Sequence, residues 1–149
     1  GMSMLPENVM AFSNKFEEVV SSTIDPYLLI PELVINAEIT FRNVNKKFFG
    51  IIQQMEPYGP ENLRPVFITK NVMNTEWTRI VKEQHIRFVV KNEDITLTGI
   101  GFNLAEKFSL LQMNQPIDLV YTVDENEWNQ ETTLQLKVVD FRLSEMATV

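Results

Sequence analysis

The chain of 149 residues has no cysteine, and His85 is its single histidine. Without cysteine, the chain cannot form disulfides or thiolate metal sites. With one histidine, a histidine-based catalytic dyad or zinc site is not expected in it either. No apolar run approaches the roughly 20 residues of a membrane-spanning helix, and the N-terminus lacks the basic and apolar regions of a signal peptide. We therefore expect no membrane partner.

Basic charge is also scarce overall, but it is concentrated in one stretch. The formal net charge is -7, which by itself argues against nucleic-acid binding. Residues 64–92, however, hold six basic and two acidic residues, a local net of +4, whereas residues 93–149 hold three basic and ten acidic ones, a net of -7. The sequence is thus divided into a basic and an acidic part, and the basic part is the candidate for an anionic partner.

Residues 85–102 predict a β-hairpin around which the other elements are arranged. Every second residue from Ile86 to Val90 is apolar, which is typical of a half-buried strand. A polar turn follows, and then a second β-rich run that contains Gly99 and Gly101. Glycine within a strand indicates a bend or a close approach of another backbone.

The rest of the chain predicts further strands with flanking helices. Before residue 57 we predict an amphipathic helix over 6–22 with a packed apolar face, a strand over 33–41 and a helix over 44–55 capped by Asn43. A long strand over 66–81, with a kink near 74–75, then leads to the hairpin. After the hairpin we predict a helix over 103–112 capped by Asn103, a strand over 117–123, a polar loop over 124–131 and a strand over 132–142. From residue 66 onward this is the element order of the OB-fold, a five-stranded Greek-key barrel that binds oligonucleotides or oligosaccharides. We therefore predict a mainly β chain with flanking helices (α+β), in which a helix–strand–helix leader (1–56) precedes an OB-fold barrel (57–149).

Several motifs resemble one protein family along nearly the whole chain. Residues 57–67, PYGPENLRPVF, are similar to a PFGxGNPxPVF linker, HIRF at 85–88 is similar to an HLKL-type strand, and GFN at 101–103 falls at the end of an AIAF-type strand. DLVYT, NEWN and TLQL, beginning at residues 118, 126 and 133, are similar to a DLVYxLxxNEWNGxxxLQL ending, and residues 6–24 resemble the tail of a DHHA1 domain. Tyr58, Pro60-Glu61 and Gln130 depart from these patterns. The chain resembles the C-terminal region of RecJ-type nucleases, single-strand-specific DNA exonucleases of the DHH phosphoesterase family.

The resemblance implies that this chain is the non-catalytic end of a larger enzyme. The aspartate-rich and DHH motifs that hold the catalytic metals of the family are absent from it, so no residue here is expected to be catalytic and none to bind a metal or another cofactor. The parent is expected to be a cytoplasmic bacterial 5′–3′ exonuclease of DNA repair and recombination that uses manganese or magnesium. The expected partners are single-stranded DNA, the parent's catalytic domains and, as a candidate, single-strand-binding protein.

The predicted DNA contacts come from the basic stretch and from two tryptophans. They are Arg79, Lys82, His85, Arg87, Lys91, Trp77 and Trp128. Cations would neutralise phosphates, and exposed aromatic rings would stack on bases. Arg87 and Lys91 alternate with apolar residues, which predicts that both lie on the outer face of their strand. Phe88 and Phe102 are predicted to be core residues. The alternative is an ordinary solvated surface, with Trp128 capping the barrel.

Two further predictions concern function. The acidic segment 124–131 lacks the spacing of a calcium loop, so we predict a solvated loop and no cation site. The alternative to DNA binding is a structural or protein-interaction module that closes the DNA path of the parent or docks a repair partner. An oligosaccharide-binding barrel would need a neutral aromatic groove, which the basic stretch does not favour.

Overall fold

The computed structural model describes residues 1–128 and 131–145, without the side chains of Trp128 and Glu131. The chain divides into two compact units, Gly1–Leu33 and Val34–Val149. Among the described residues, no helix has both the length and the apolar character needed to cross a bilayer. The division falls earlier than residue 56, where the sequence predicts the leader to end. The assignment of the leader to a DHHA1 tail stays a prediction.

The first unit contains helix α1 (Val9–Thr23) between two 3-10 turns, Pro6–Asn8 and Pro26–Leu29. Pro6 begins the first turn, where its missing N–H has no partner to lose. The predicted helix is confirmed, but the predicted packing of its apolar face is wrong for this structure. The five residues of that face are all at least 39% exposed: Leu5, Val9, Phe12, Phe16 and Val19.

The second unit is a closed β-sheet. Its strands are β1 (Ala37–Glu38), β2 (Phe67–Asn74), β3 (Arg79–Val81), β4 (His85–Asn92), β5 (Ile95–Gly101), β6 (Ile117–Trp128) and β7 (Glu131–Leu143). They lie in the order β1-β2-β6-β7-β5-β4-β3, and an additional pairing of β2 with β4 closes the ring. The β1–β2 and β5–β7 pairs are parallel, and the others are antiparallel. The mainly β class with flanking helices is confirmed, and the sheet has seven strands where the sequence predicts six, one in the leader and five in the barrel.

The predicted long strand is interrupted at its predicted kink, which accounts for one extra strand. Residues 75–78 form a turn closed by a 3.1 Å bond from the Thr78 N–H to the Thr75 carbonyl. Both threonine hydroxyls then donate to the Val89 carbonyl, at 2.6 and 3.0 Å, and the Val89 N–H donates to Thr78 Oγ1 at 2.9 Å. The Thr75 N–H still donates to the Val89 carbonyl at 3.2 Å, but side chains make the other bonds of this step, so β2 and β3 are separate strands along the same partner.

The leader differs from its prediction because local capping competes with strand pairing. Only Ala37–Glu38 of the predicted strand 33–41 pairs with β2, and Thr40 with Asn43 forms a capping box for a 3-10 turn. Helix α2 (Lys46–Gln53) is capped by Asn45, whose side chain accepts from the Phe48 N–H at 3.0 Å, and not by Asn43. The connector nevertheless packs with the strands, since its buried residues Phe41, Val44, Phe49 and Ile52 belong to their core.

Two glycines allow the hairpin to pack closely over the core. Phe88 is fully buried, as predicted. A Cβ on Gly101 would lie 2.8 Å from the Phe88 ring, and one on Gly99 would lie 2.9 Å from the Leu136 carbonyl oxygen of β7. Such distances are shorter than van der Waals contact, so the ring of Phe88 and the backbone of β7 occupy the space that side chains would need. The predicted close approach is confirmed.

A buried hydroxyl chain joins β6 to the leader. Thr69 Oγ1 donates to the Ile39 carbonyl at 2.8 Å and lies 2.7 Å from the Tyr121 hydroxyl. Because the single threonine proton goes to Ile39, Tyr121 is the donor in the second bond. Burial raises the pKa of Tyr121 to about 12.

Two later predictions need correction. The helix predicted over 103–112 is a 3-10 turn, Ala105–Lys107, followed by α3 (Phe108–Leu111), and Asn103 does not cap it but adopts a left-handed φ of 56°. The predicted loop 124–131 is mostly strand, because β6 continues to Trp128 and β7 begins at Glu131.

Candidate nucleic-acid interface

The predicted cations lie on the outer side of the hairpin. Along β4, Ile86, Phe88 and Val90 are fully buried, whereas Arg87 and Lys91, which point to the opposite side, are exposed. The neighbouring strands extend this surface, since Arg87 faces Arg79 on β3 and Ile100 on β5. We call it the outer face, and its residues are Arg79, His85, Arg87, Val89, Lys91, Thr96, Thr98, Ile100 and Phe102.

The lysine and arginine residues of this face have no carboxylate partner among the residues that the structure describes. Among the described residues, seven of the thirteen Lys and Arg residues form ion pairs: Lys15, Arg42, Arg64, Lys70, Lys107, Lys137 and Arg142. The six that form none are Lys46, Lys47, Arg79, Lys82, Arg87 and Lys91. All four predicted Lys and Arg contacts therefore have no ion-pair partner within the described part of the chain, and we expect their charge to be available to an anion.

Lys82 lies near the outer face but not on a strand. It occupies the loop between β3 and β4 with a positive φ of 50°, and Glu83 beside it has a φ of 61°. The adjacent carboxylate reduces the local positive potential. Lys82 is consequently a weaker candidate for a phosphate contact than the three cations on the strands.

The two predicted tryptophans differ in what the structure describes. Trp77 is 69% exposed in the 75–78 turn, which the threonine hydroxyls fix to Val89 of the outer face. An exposed ring on a fixed turn can stack on a base. The side chain of Trp128 lies outside the described residues.

His85 has a positioning role in this geometry. Its Nδ1 accepts from the Asn103 N–H at 3.1 Å, so that nitrogen is occupied. Its ring packs edge-on against Phe102, with centroids 5.1 Å apart and an interplanar angle of 71°. His85 therefore orients the ring of Phe102. Only its Nε2 remains to make the predicted phosphate contact.

Phe102 was predicted to be in the core, and this is wrong: its side chain is 53% exposed. The pattern of β5 contains the signal for this. Gly99 and Gly101 are buried at alternate positions, so the next residue must point to the opposite side. The outer face consequently has an exposed aromatic ring beside its cations.

The acidic hairpin of β6 and β7 has a different electrostatic arrangement. Asp124 pairs with Arg64 at 3.0 Å and with Lys137 at 3.1 Å. Partial burial pushes the pKa of Asp124 upward, but the hydrogen bonds from Lys137 and the Glu125 N–H and the charge of Arg64 outweigh it, so its pKa lies below the ordinary value. Within the described residues, no group of three or more His, Cys, Asp or Glu could hold a metal ion.

Comparison with known proteins identifies relatives across the second unit. A family model described as "RecJ OB domain" matches residues 35–140. The matched segment begins at Ile35, one position after Val34, where the second compact unit begins.

Individual relatives match almost the whole chain but are much longer. The chain is 23% identical over 146 residues to the single-stranded-DNA-specific exonuclease RecJ of Bacillus subtilis, covering 97% of this chain and 19% of that protein. It is 23% identical over 142 residues to the protein of the same name from Salmonella typhimurium, covering 94% and 24%. The crystal structure of RecJ in complex with Mn2+ from Thermus thermophilus aligns over 98% of this chain and 21% of that one, with a TM-score of 0.69 and 21% identity. At this identity the structural match shows the fold.

Proposed function

Because this chain belongs to the RecJ OB domain family, we propose that its second unit binds single-stranded DNA on the outer face and is not itself catalytic. The observation that carries the proposal is the cluster of unpaired cations on β3 and β4, beside Phe102 and Trp77. Phosphate neutralisation by cations and stacking of bases on aromatic rings are the two components of single-strand binding.

The geometry supports contact with more than one phosphate. Arg87 and Lys91 lie on the same side of β4, four residues and thus roughly 13 Å apart. Arg79 lies directly across from Arg87 on β3. A strand crossing this face would meet a pair of guanidinium groups and then a lysine, while uncharged Thr96 and Thr98 border the path on β5.

For the longer protein, we propose a RecJ-like 5′–3′ single-strand exonuclease of DNA repair and recombination in the bacterial cytoplasm. The chain spans only 19% and 24% of the two curated relatives described above. One solved relative is described in complex with Mn2+. We propose that manganese or magnesium is held by other domains of the parent, since the described residues have no suitable cluster of ligands.

Fluorescence anisotropy with a labelled oligonucleotide tests the binding proposal on the chain as it is. We expect weak binding, because the net charge is -7, and a clear decrease in affinity as salt rises. No binding at low salt, or binding that does not change with salt, would contradict the proposal. The same sample should release no mononucleotides with manganese or magnesium, and reproducible release would contradict the non-catalytic role.

A second candidate function is a structural or protein-interaction module. It is favoured by the exposed apolar face of α1, on which Phe16 is 56% exposed. In this case the chain would pack against catalytic domains of the parent or dock single-strand-binding protein. A pull-down with single-strand-binding protein separates the two functions. If the variant without the charges of Arg79 and Arg87 still binds that protein, and the chain binds no DNA, the interaction function is favoured over the first.

A further inference from the structure

The outer face ends beside a cavity that the proposed DNA path does not use. The cavity has a volume of about 350 Å³ and is lined by Glu83, Gln84, Asn103, Ala105 and Glu106. Small-molecule sites have volumes of roughly 300–1,000 Å³. Two segments far apart in sequence form it, and the Ala105 N–H donates to the Gln84 carbonyl at 3.2 Å to hold them together.

Phe102 lies at the border between this cavity and the outer face. It directly precedes Asn103, which lines the cavity, and its exposed ring packs edge-on against His85. His85 in turn accepts from the Asn103 N–H. The ring, the histidine and the cavity wall are therefore fixed relative to one another, as a stacking site beside a pocket requires.

The charges on the two sides of Phe102 are opposite. On one side are the unpaired guanidinium groups of Arg79 and Arg87, and on the other are the carboxylates of Glu83 and Glu106. With the described residues, neither carboxylate forms an ion pair. A phosphate is attracted by the two arginines and repelled by the two carboxylates, so the cavity favours the uncharged part of a nucleotide.

We propose that Phe102 and the cavity form a nucleobase subsite that prefers a base with an exocyclic amino group, cytosine over thymine. This inference rests on the proposed single-strand binding and specifies which base it favours. A carboxylate accepts a hydrogen bond from N4 of cytosine. Thymine presents an oxygen at the same position, and that oxygen faces a carboxylate with no proton between them.

Anisotropy with labelled deoxycytidine and deoxythymidine homopolymers of equal length tests the subsite. We expect the chain to bind the cytosine strand roughly fivefold or more tightly, the lower end of what one base contact contributes. The double variant Glu83→Ala/Glu106→Ala should remove this ratio. The control variant Glu125→Ala/Glu127→Ala removes the same charge from the exposed hairpin and should keep it. Phe102→Ala should weaken binding of both strands.

The outcomes separate this inference from the function on which it rests. Salt-dependent binding of both homopolymers with equal affinity would overturn the subsite and leave single-strand binding intact. A cytosine preference that persists in Glu83→Ala/Glu106→Ala would overturn it as well. Absence of binding to either strand would contradict the proposed function itself, and the subsite with it.

Discussion

Arg79 and Arg87 are direct cross-strand partners on the outer face, and neither forms an ion pair with a described residue. Opposed residues of an antiparallel pair have Cβ atoms roughly 4.5–5.5 Å apart, and like charges in this position destabilise the sheet. The repulsion is relieved when an anion lies between the two groups. The pair therefore stores a small unfavourable energy in the free protein that phosphate binding recovers.

This arrangement predicts opposite effects of one substitution on stability and binding. Arg79→Ala should leave the free energy of unfolding unchanged or raise it by up to about 1 kcal/mol, the scale of one cross-strand pair, while it weakens DNA binding. Urea denaturation and anisotropy on the same sample measure the two effects. A variant that loses both stability and affinity would show that Arg79 supports the fold.

The double variant Arg87→Ala/Lys91→Ala tests the phosphate contacts. It should have the same melting temperature as the unsubstituted chain, because exposed substitutions usually change stability by no more than about 0.5 kcal/mol. The slope of log affinity against log salt should flatten by about 1.4, since each phosphate contact on a single strand contributes roughly 0.7. The matched control is Lys46→Ala/Lys47→Ala, which removes two other unpaired, exposed cations. Equal effects of the two variants would mean that only net charge matters.

Phe88 and Phe102 should respond differently to the same truncation. Phe88 is fully buried, so Phe88→Ala should cost about 3–5 kcal/mol of unfolding free energy. Phe102 is 53% exposed, and Phe102→Ala should cost well under half of that. Urea midpoints of the two variants give the comparison, and similar losses would contradict the outward orientation of Phe102.

The Tyr121 hydroxyl predicts a loss of stability in alkaline solution. Its pKa is raised to about 12 in the folded chain, chiefly by burial, compared with about 10 in an unfolded chain. The neutral form is thus favoured by folding, and this contribution is complete below pH 10 and is lost as the pH rises towards 12. The urea midpoint of the unsubstituted chain should be lower in that pH range than at pH 8. Tyr121→Phe should show a smaller fall, and an identical pH dependence in both proteins would exclude this residue as the cause.

The outer face could be predicted from sequence because it depends on a period of two. Arg87 and Lys91 follow that period, and so does Phe102 once the buried glycines of β5 are counted as inward positions. The cavity could not be predicted, because it joins a loop with two left-handed residues to a segment some 20 positions later. The leader strand was overestimated because Thr40 and Asn43 form hydrogen bonds that apolar periodicity does not record.

The parallel pairing of β5 with β7 has a consequence for synthesis of the chain. Gly99 pairs with Leu136, and β7 also pairs with β6 along the full length of that strand, on the edge opposite to β2. A nascent chain on the ribosome therefore displays the open edge of β5 and the uncovered inner side of β6 until residues of β7 have left the exit tunnel. During that interval, association with the edges of other chains competes with closure. The translation rate through residues 131–143 should consequently influence how much of the protein is recovered in native form.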